Sequence, residues 1–306
     1  MNDSIEKTLI AEKQSNPSIR VLDSNNYGSI NARVLSDSIT LIDISHERFE
    51  ASLSLHGGQI LSWQPNGQQE VFWLSKKAKY DQAEAIRGGV PLCWPWFGAL
   101  EGGGNHGFAR TSQWSLAEYH INQDDVVLTL VLAGEQSQNI WPFKYQLTQR
   151  IVISSSLQQS LDVTNTGDKA FRFNGALHSY FGVSDPKYVA VPVLNNHFYD
   201  DKISSHLKCT PSDVFDCVGP IDRIYHCNSS ATIFDKHWKR AIEIKKSNCP
   251  QWVLWNPGKA TASTMADVHQ GGENEFVCLE AANTNWLTVE PGKSIELSQE
   301  IQVYNI

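Results

Sequence analysis

The 306-residue sequence lacks the features that mark secreted, membrane-spanning and nucleic-acid-binding proteins. Its six cysteines are scattered without C-x-x-C pairs, which excludes a disulfide framework. Residues 1–20 contain no apolar run long enough for a signal peptide, and no window approaches the roughly 18 apolar residues of a membrane span. The 33 acidic residues outnumber 25 Lys and Arg, so the formal net charge of −8 disfavours nucleic acid. We expect a cytoplasmic protein that binds neither nucleic acid nor a membrane.

Several motifs of metal and cofactor sites are also missing. The ten histidines include no H-x-x-x-H or H-x-H pair, which argues against a structural zinc site. There is no G-x-S-x-G elbow and no Walker-type loop, which lowers the odds of a serine hydrolase or a nucleotide phosphotransferase. Residues 102–107 match G-x-G-x-x-G, but no strand-helix unit surrounds them, so they predict a loop.

What the sequence does contain is a repeated alternation of apolar and polar residues. Phe49, Ala51 and Leu53 alternate with polar neighbours, the period of a half-buried strand. Similar runs occupy residues 126–132, 147–153, 157–163, 231–234, 241–244, 252–255 and 295–303. Many short strands without intervening helices predict a single all-β domain, a sandwich or a barrel, over residues 26–306. Residues 1–25 are polar and aperiodic, which predicts a loose N-terminal arm.

Two arginines stand out in an acidic protein. Arg87 lies in a segment rich in glycine and aromatic residues (86–98), and Arg110 ends the segment 106–110. Glycine near each allows a ligand to approach the backbone closely. Since guanidinium binds phosphate or carboxylate through paired hydrogen bonds, two converging arginines could clamp a phosphate. The alternative is that each arginine pairs with a carboxylate at the edge of the core.

Two ionisable residues lie inside apolar runs. His178 falls within residues 173–181 and Glu280 within residues 276–283. Burying an isolated charge is costly, so each side chain needs a partner or a polar cavity. Each could instead be a core residue with a hydrogen-bonding partner and no role in binding or catalysis. This alternative is weaker for Glu280 because buried carboxylates are rarer than buried histidines.

Several segments of the sequence resemble those of a known family. The segments 55–63, 86–98, 106–110, 177–181, 201–202, 255–258 and 276–280 occur in the order found in the glucose-6-phosphate 1-epimerases. These enzymes, also called hexose-6-phosphate mutarotases, resemble the aldose 1-epimerase superfamily. The similarity runs from about residue 45 to the C-terminus.

The resemblance implies a galactose mutarotase-like β-supersandwich that acts on the anomeric carbon of a hexose 6-phosphate without metal or organic cofactor. By motif position, His178 and Glu280 are the catalytic pair and Arg87 and Arg110 bind phosphate. Three further residues are expected to contact the substrate, namely Asp201, Asn105 and His106. The stretch 195–198 before Asp201 lacks the glycines common in the family, so the local loop is expected to differ.

The expected mechanism is ring opening and closure by one base and one acid. Glu280 would deprotonate the C1 hydroxyl while His178 protonates the ring oxygen, and the roles reverse on closure. A close pair is expected to hold the glutamate ionised and the histidine protonated. Two alternatives stay open, a mutarotase of unphosphorylated aldoses and a non-catalytic carbohydrate-binding module. We expect a monomer, and the preferred hexose is not predicted.

Overall fold

Antiparallel strands dominate the computed structural model, which describes residues 18–36, 39–135, 140–209 and 217–306. In chain order the strands are β1 (Ser18–Asn25), β2 (Gly28–Ser36), β3 (Ile39–His46), β4 (Phe49–Ser54), β5 (Gln59–Pro65), β6 (Leu92–Cys93), β7 (Ala99–Leu100), β8 (Gly104–Asn105), β9 (Ser115–Ile121), β10 (Val126–Glu135), β11 (Lys144–Ile153), β12 (Ser156–Asn165), β13 (Phe171–Leu177), β14 (Tyr180–Gly182), β15 (Val189–Ala190), β16 (Phe198–Asp201), β17 (His206–Cys209), β18 (Ile221–Tyr225), β19 (Ala231–Asp235), β20 (Arg240–Ser247), β21 (Gln251–Asn256), β22 (Phe276–Val289) and β23 (Ser294–Asn305). Helical segments are short: α1 (Gly258–Ala262) and 3₁₀ turns at Ala109–Thr111, Pro186–Tyr188, Pro192–Leu194 and Gly272–Asn274.

These strands form two large sheets and two smaller ones. The outer sheet has the order β15-β19-β20-β23-β12-β11-β10-β9. The cleft sheet has the order β17-β16-β18-β21-β22-β13-β6, with β14 also paired to β22. The hairpins β1 to β5 make a third sheet, and β7 and β8 make a two-stranded one. Within the described ranges, no helix is long and apolar enough to cross a membrane.

Side-chain alternation sorts the residues of β22 onto two faces. Val277 and Leu279 point into the main core, which the strands of the outer sheet share. Cys278 and Ala282 belong to smaller apolar clusters on the other face, where Glu280 also lies. The parity of a strand position therefore decides whether its side chain meets the core or the opposite face.

A chain of buried amides crosses the core behind this strand. Gln149 donates to the Gly58 carbonyl (2.6 Å), Gln159 donates to Gln149 (2.6 Å) and Gln299 donates to Gln159 (2.8 Å). Gln299 also bonds the hydroxyl of Ser179, at 3.1–3.2 Å. Because each amide finds a partner, burial costs little, and the network fixes the segment next to His178.

The all-β, single-domain prediction is confirmed, and each predicted strand coincides with an observed one. The prediction of a loose arm is wrong for residues 18–25, which form β1 and pair with β2 from Ser18 opposite Val34 to Asn25 opposite Gly28. Most of β1 is exposed, so its backbone pairing leaves no apolar period in the sequence. Residues 1–17 of the predicted arm lie outside the described residues.

The glycines beside the two arginines serve backbone packing. A Cβ on Gly88 would lie 2.3 Å from the Trp73 carbonyl oxygen, and one on Gly107 would lie 2.0 Å from that of Trp94. Both have positive φ, +115° and +66°, which glycine tolerates best. The predicted loop at 102–107 contains β8, the second strand of the β7–β8 hairpin.

Gly175→Ala should destabilise the protein without changing any cleft residue. The added Cβ would lie 2.4 Å from the Cys93 carbonyl oxygen, where β13 meets β6. We expect a loss of about 1–3 kcal/mol in the free energy of unfolding, measured by urea titration. The control Gly134→Ala, whose Cβ would be 3.4 Å from the Tyr145 hydroxyl, should lose less. Equal losses in the two variants would contradict the close approach at Gly175.

Candidate active site

His178 and Glu280 meet because of the register between two strands. Leu177 pairs with Ala281 and Tyr180 pairs with Cys278, which places the residue after β13 opposite the middle of β22. The distance from His178 Nδ1 to Glu280 Oε1 is 3.4 Å. The two residues are only 7% and 1% exposed. A hundred positions apart in sequence, they form one buried acid-base pair.

A cleft of about 520 Å³ opens onto this pair. Six of the seven predicted site residues line it, namely Arg87, Asn105, His106, Arg110, His178 and Glu280. Several lining residues were not predicted from the sequence, among them Tyr180, Lys202, Asp222 and Trp255. A second cavity of about 340 Å³ shares Arg87, Asn105 and Arg110 with the cleft. The two arginines therefore lie between the acid-base pair and an adjoining space.

The guanidinium of Arg87 is held from two sides. Its Nε donates to Asp267 Oδ2 at 2.9 Å, and its Nη1 donates to the Tyr180 hydroxyl at 2.8 Å. The sequence left open whether Arg87 binds a ligand or pairs with a carboxylate. Arg87 does pair with Asp267, and it also lines the cleft. Its Nη2 makes no hydrogen bond within the described residues, which leaves donors for an anion.

Arg110 is held mainly by backbone. Its Nη2 donates to the Asn105 carbonyl at 2.9 Å. Its Nε is buried and has no hydrogen-bond partner within the described part of the chain. A buried, unsatisfied guanidinium nitrogen is costly, which favours a bound acceptor at this position.

His106 presents a neutral hydrogen-bond donor. Its Nδ1 accepts a bond from the Gly98 backbone N–H at 3.2 Å, so the ring proton resides on Nε2. Burial, with help from Arg110 and Arg87, lowers the pKa of His106 to about 3. Its ring lies 5.8 Å from that of His178. The residue can donate to a sugar oxygen but carries no charge at neutral pH.

Asp201 does not line the cleft, contrary to the prediction. Its carboxylate accepts from the backbone N–H groups of Ile203 (3.0 Å) and Ser204 (3.2 Å) and pairs with Lys208. In the sheet Asp201 pairs with Arg223, one position away from Asp222. Because neighbouring strand positions face opposite sides, Asp222 reaches the cleft and Asp201 does not.

Burial sets the protonation of the central pair. Desolvation raises the pKa of Glu280 well above its usual range; Asp222 adds to this and Arg110 opposes it. Desolvation lowers the pKa of His178, helped by His106 and by the cations Arg110 and Arg87. Burial thus favours a carboxylic acid beside a neutral imidazole. The form predicted from the sequence was a Glu280 carboxylate beside a protonated His178. That form also holds one proton, but on His178 instead of Glu280.

The described residues contain no group of three or more His, Cys, Asp or Glu side chains that could hold a metal ion. The polar side chains that line the cleft are two carboxyls, two imidazoles, two guanidiniums, an ammonium, a phenol and an amide: Glu280, Asp222, His106, His178, Arg87, Arg110, Lys202, Tyr180 and Asn105.

A sequence model of the aldose 1-epimerase family matches residues 40–302. The chain therefore belongs to the aldose 1-epimerase family, which confirms the resemblance inferred from the motifs.

Among individual proteins, the chain is similar to one from Escherichia coli K12 named "Putative glucose-6-phosphate 1-epimerase". The two are 34% identical over 274 residues, which cover 87% of this chain and 91% of that protein. A crystal structure of "a putative mutarotase (YeaD)" from Salmonella typhimurium superposes with a TM-score of 0.85 at 30% identity, covering 99% of each chain. A galactose mutarotase-like protein from Clostridium acetobutylicum, 15% identical, covers 92% of this chain and is itself fully covered, with a TM-score of 0.72. The predicted galactose mutarotase-like fold is confirmed.

Glu280→Gln should stabilise the folded protein at neutral pH. Because the folded-state pKa of Glu280 is raised, unfolding releases a proton above the unfolded value of about 4.3, and wild-type stability falls as pH rises. The glutamine does not titrate, so its advantage should grow from pH 5 to pH 8 and reach about 1–3 kcal/mol. Urea unfolding across this range measures the difference.

The matched control is Glu290→Gln, which removes an exposed carboxylate from the same acidic chain. It should show no comparable growth of stability with pH. A pH-independent difference between wild type and Glu280→Gln would contradict the raised pKa.

Proposed function

We propose that this protein interconverts the α and β anomers of a hexose 6-phosphate, with glucose 6-phosphate as the first substrate to test. The observation that carries the proposal is a buried acid-base pair, His178 and Glu280, in one cleft with Arg87 and Arg110. An unphosphorylated sugar would need the acid-base pair but not the two arginines. The name of the E. coli relative supports the same substrate.

The reaction needs one proton removed and one delivered. Loss of the proton from the C1 hydroxyl, with protonation of the ring oxygen, opens the hemiacetal to the aldehyde. Rotation about the C1–C2 bond and reclosure on the other face give the second anomer. Glu280 is the base toward the C1 hydroxyl and His178 the acid toward the ring oxygen, with the roles exchanged on closure.

Substrate binding favours the ionised form of the pair. Arg87 and Arg110 both lower the pKa of His178, whereas of the two only Arg110 acts on Glu280. A phosphate dianion held by these arginines offsets their charge, which favours imidazolium more than it disfavours carboxylate. The proton then moves from Glu280 to His178, across a contact of 3.4 Å, when substrate binds.

The remaining lining residues recognise the sugar. Asp222 offers an acceptor and His106 a neutral donor for hydroxyl groups, and Asn105 lines both the cleft and the adjoining cavity. Trp255 supplies an aromatic surface for the apolar face of the ring. The role first assigned to Asp201 therefore passes to Asp222.

We further infer that the protein works in a reducing compartment, the cytoplasm. Four cysteines, Cys93, Cys227, Cys249 and Cys278, are buried free thiols. Free thiols are maintained where glutathione and thioredoxin operate.

Glu280→Gln should abolish most of the catalysis while the protein stays folded. Positioned acid-base groups contribute roughly 10²–10⁴-fold, so kcat for anomerisation of glucose 6-phosphate should fall by about that factor. The rate is measured by coupling to a dehydrogenase specific for the β anomer. Glu290→Gln should retain wild-type turnover, and near-normal turnover of Glu280→Gln would remove Glu280 from the base role.

Arg87→Ala should weaken binding of the phosphorylated sugar more than it slows the chemistry. Loss of a charged hydrogen-bond donor should raise KM for glucose 6-phosphate by about 10- to 100-fold, since such bonds are worth about 1.5–3 kcal/mol. Glucose itself should be a poor substrate for wild type and variant alike. Arg223→Ala, on the same sheet, is the control because Arg223 does not line the cleft. Equal activity of wild type on glucose and glucose 6-phosphate would contradict the phosphate role.

A further inference from the structure

Tyr180 lines the cleft and is held firmly by its backbone and its surroundings. It begins β14, two residues after His178, and is 2% exposed. Its backbone N–H donates to the Gly89 carbonyl (2.9 Å), and its carbonyl accepts from Trp73 (2.9 Å). The side chain thus projects from a backbone held on both sides.

The ring of Tyr180 lies flat against the imidazole of His178. The ring centroids are 4.8 Å apart and the planes differ by 6°. Trp73 and Phe276 pack near the Tyr180 ring at 5.9 and 5.2 Å, so the tyrosine cannot move away from the histidine. The imidazole therefore has a rigid wall on one side.

Hydrogen bonding does not supply that orientation. The Nδ1 atom of His178 has no hydrogen-bond partner within the described part of the chain, and its 3.4 Å contact with Glu280 is long for such a bond. An acid-base histidine is normally oriented by a hydrogen bond to its second nitrogen. Here the parallel stack on Tyr180 fills that place.

The hydroxyl of the same tyrosine contacts a second residue of the cleft, Arg87. It accepts the bond from Arg87 Nη1 at 2.8 Å, while Asp267 holds Nε of the same guanidinium. One side chain thus contacts both the histidine of the acid-base pair and the arginine assigned to the phosphate. Its ring and its hydroxyl can be tested separately.

We propose that Tyr180 is a positioning residue with two separable functions: its ring orients the His178 imidazole for proton transfer, and its hydroxyl orients Arg87 for the phosphate. The inference rests on the proposed function, because both functions are defined by the anomerisation of a hexose 6-phosphate. The ring acts on kcat and the hydroxyl acts on KM.

Tyr180→Phe and Tyr180→Leu separate the two functions in steady-state assays with glucose 6-phosphate. The phenylalanine keeps the stack and loses the hydroxyl, so KM should rise about 3- to 10-fold while kcat stays within about 2-fold of wild type. The leucine loses both, so KM should rise similarly and kcat should fall about 10- to 100-fold, the cost of a misplaced catalytic group. Tyr180→Met, with a flexible apolar side chain, replaces the leucine variant if that one fails to fold.

The chain offers a matched control in Tyr225. It is also fully buried, accepts from an arginine (Arg223 Nη1, 3.3 Å) and packs against a second ring (Tyr199, 4.9 Å), but it does not line the cleft. Tyr225→Phe and Tyr225→Leu should leave kcat and KM of the folded protein unchanged, whatever they do to stability.

Three results would overturn the inference. Wild-type kcat in folded Tyr180→Leu or Tyr180→Met would remove the ring function, and a kcat for Tyr180→Phe as low as that for Tyr180→Leu would make the hydroxyl a chemical participant. An unchanged KM in Tyr180→Phe would remove the link to Arg87. Failure of the proposed function gives a different result, because wild type itself would then leave the anomerisation of glucose 6-phosphate unaccelerated.

Discussion

The burial of a carboxyl beside an imidazole is the constraint on which the cleft depends. Glu280 lies in the buried first half of β22, and His178 follows the end of the neighbouring strand. Water is largely excluded from both groups, so each disfavours its charged form. The pair therefore holds one proton, the one that the proposed ring opening exchanges with the sugar.

The two arginines of the cleft are held in place by other protein groups. A guanidinium that moved freely would lose side-chain entropy when it bound an anion. Arg87 avoids much of that loss because Asp267 and Tyr180 already fix two of its nitrogens. Arg110 is bound to backbone and keeps a buried nitrogen unsatisfied. The fixed arginines and the buried carboxyl-imidazole pair thus line one cavity.

Much of this arrangement was predictable, and each exception has its own physical origin. Apolar alternation predicted the strands. His178 and Glu280 stood out as ionisable residues within apolar runs, and the family resemblance then assigned them as the catalytic pair. The predicted substrate contact of Asp201 was wrong because neighbouring positions of a strand face opposite sides of the sheet. Asp222 lies on the cleft side instead. Residues 18–25 were misread because backbone pairing, not an apolar face, makes them a strand. Tyr180 carried no signal that distinguished it from a core aromatic.

The sequence by itself determined the fold class, the family and most of the chemical groups in the cleft, because side-chain period and residue type are local properties. Only the tertiary structure decided which groups meet, how far apart they lie and which form of the acid-base pair is favoured. Contacts between β13 and β22 join residues a hundred positions apart, and desolvation depends on everything packed around them. Neither the register of distant strands nor the exclusion of water can be read from a residue's immediate neighbours in the chain.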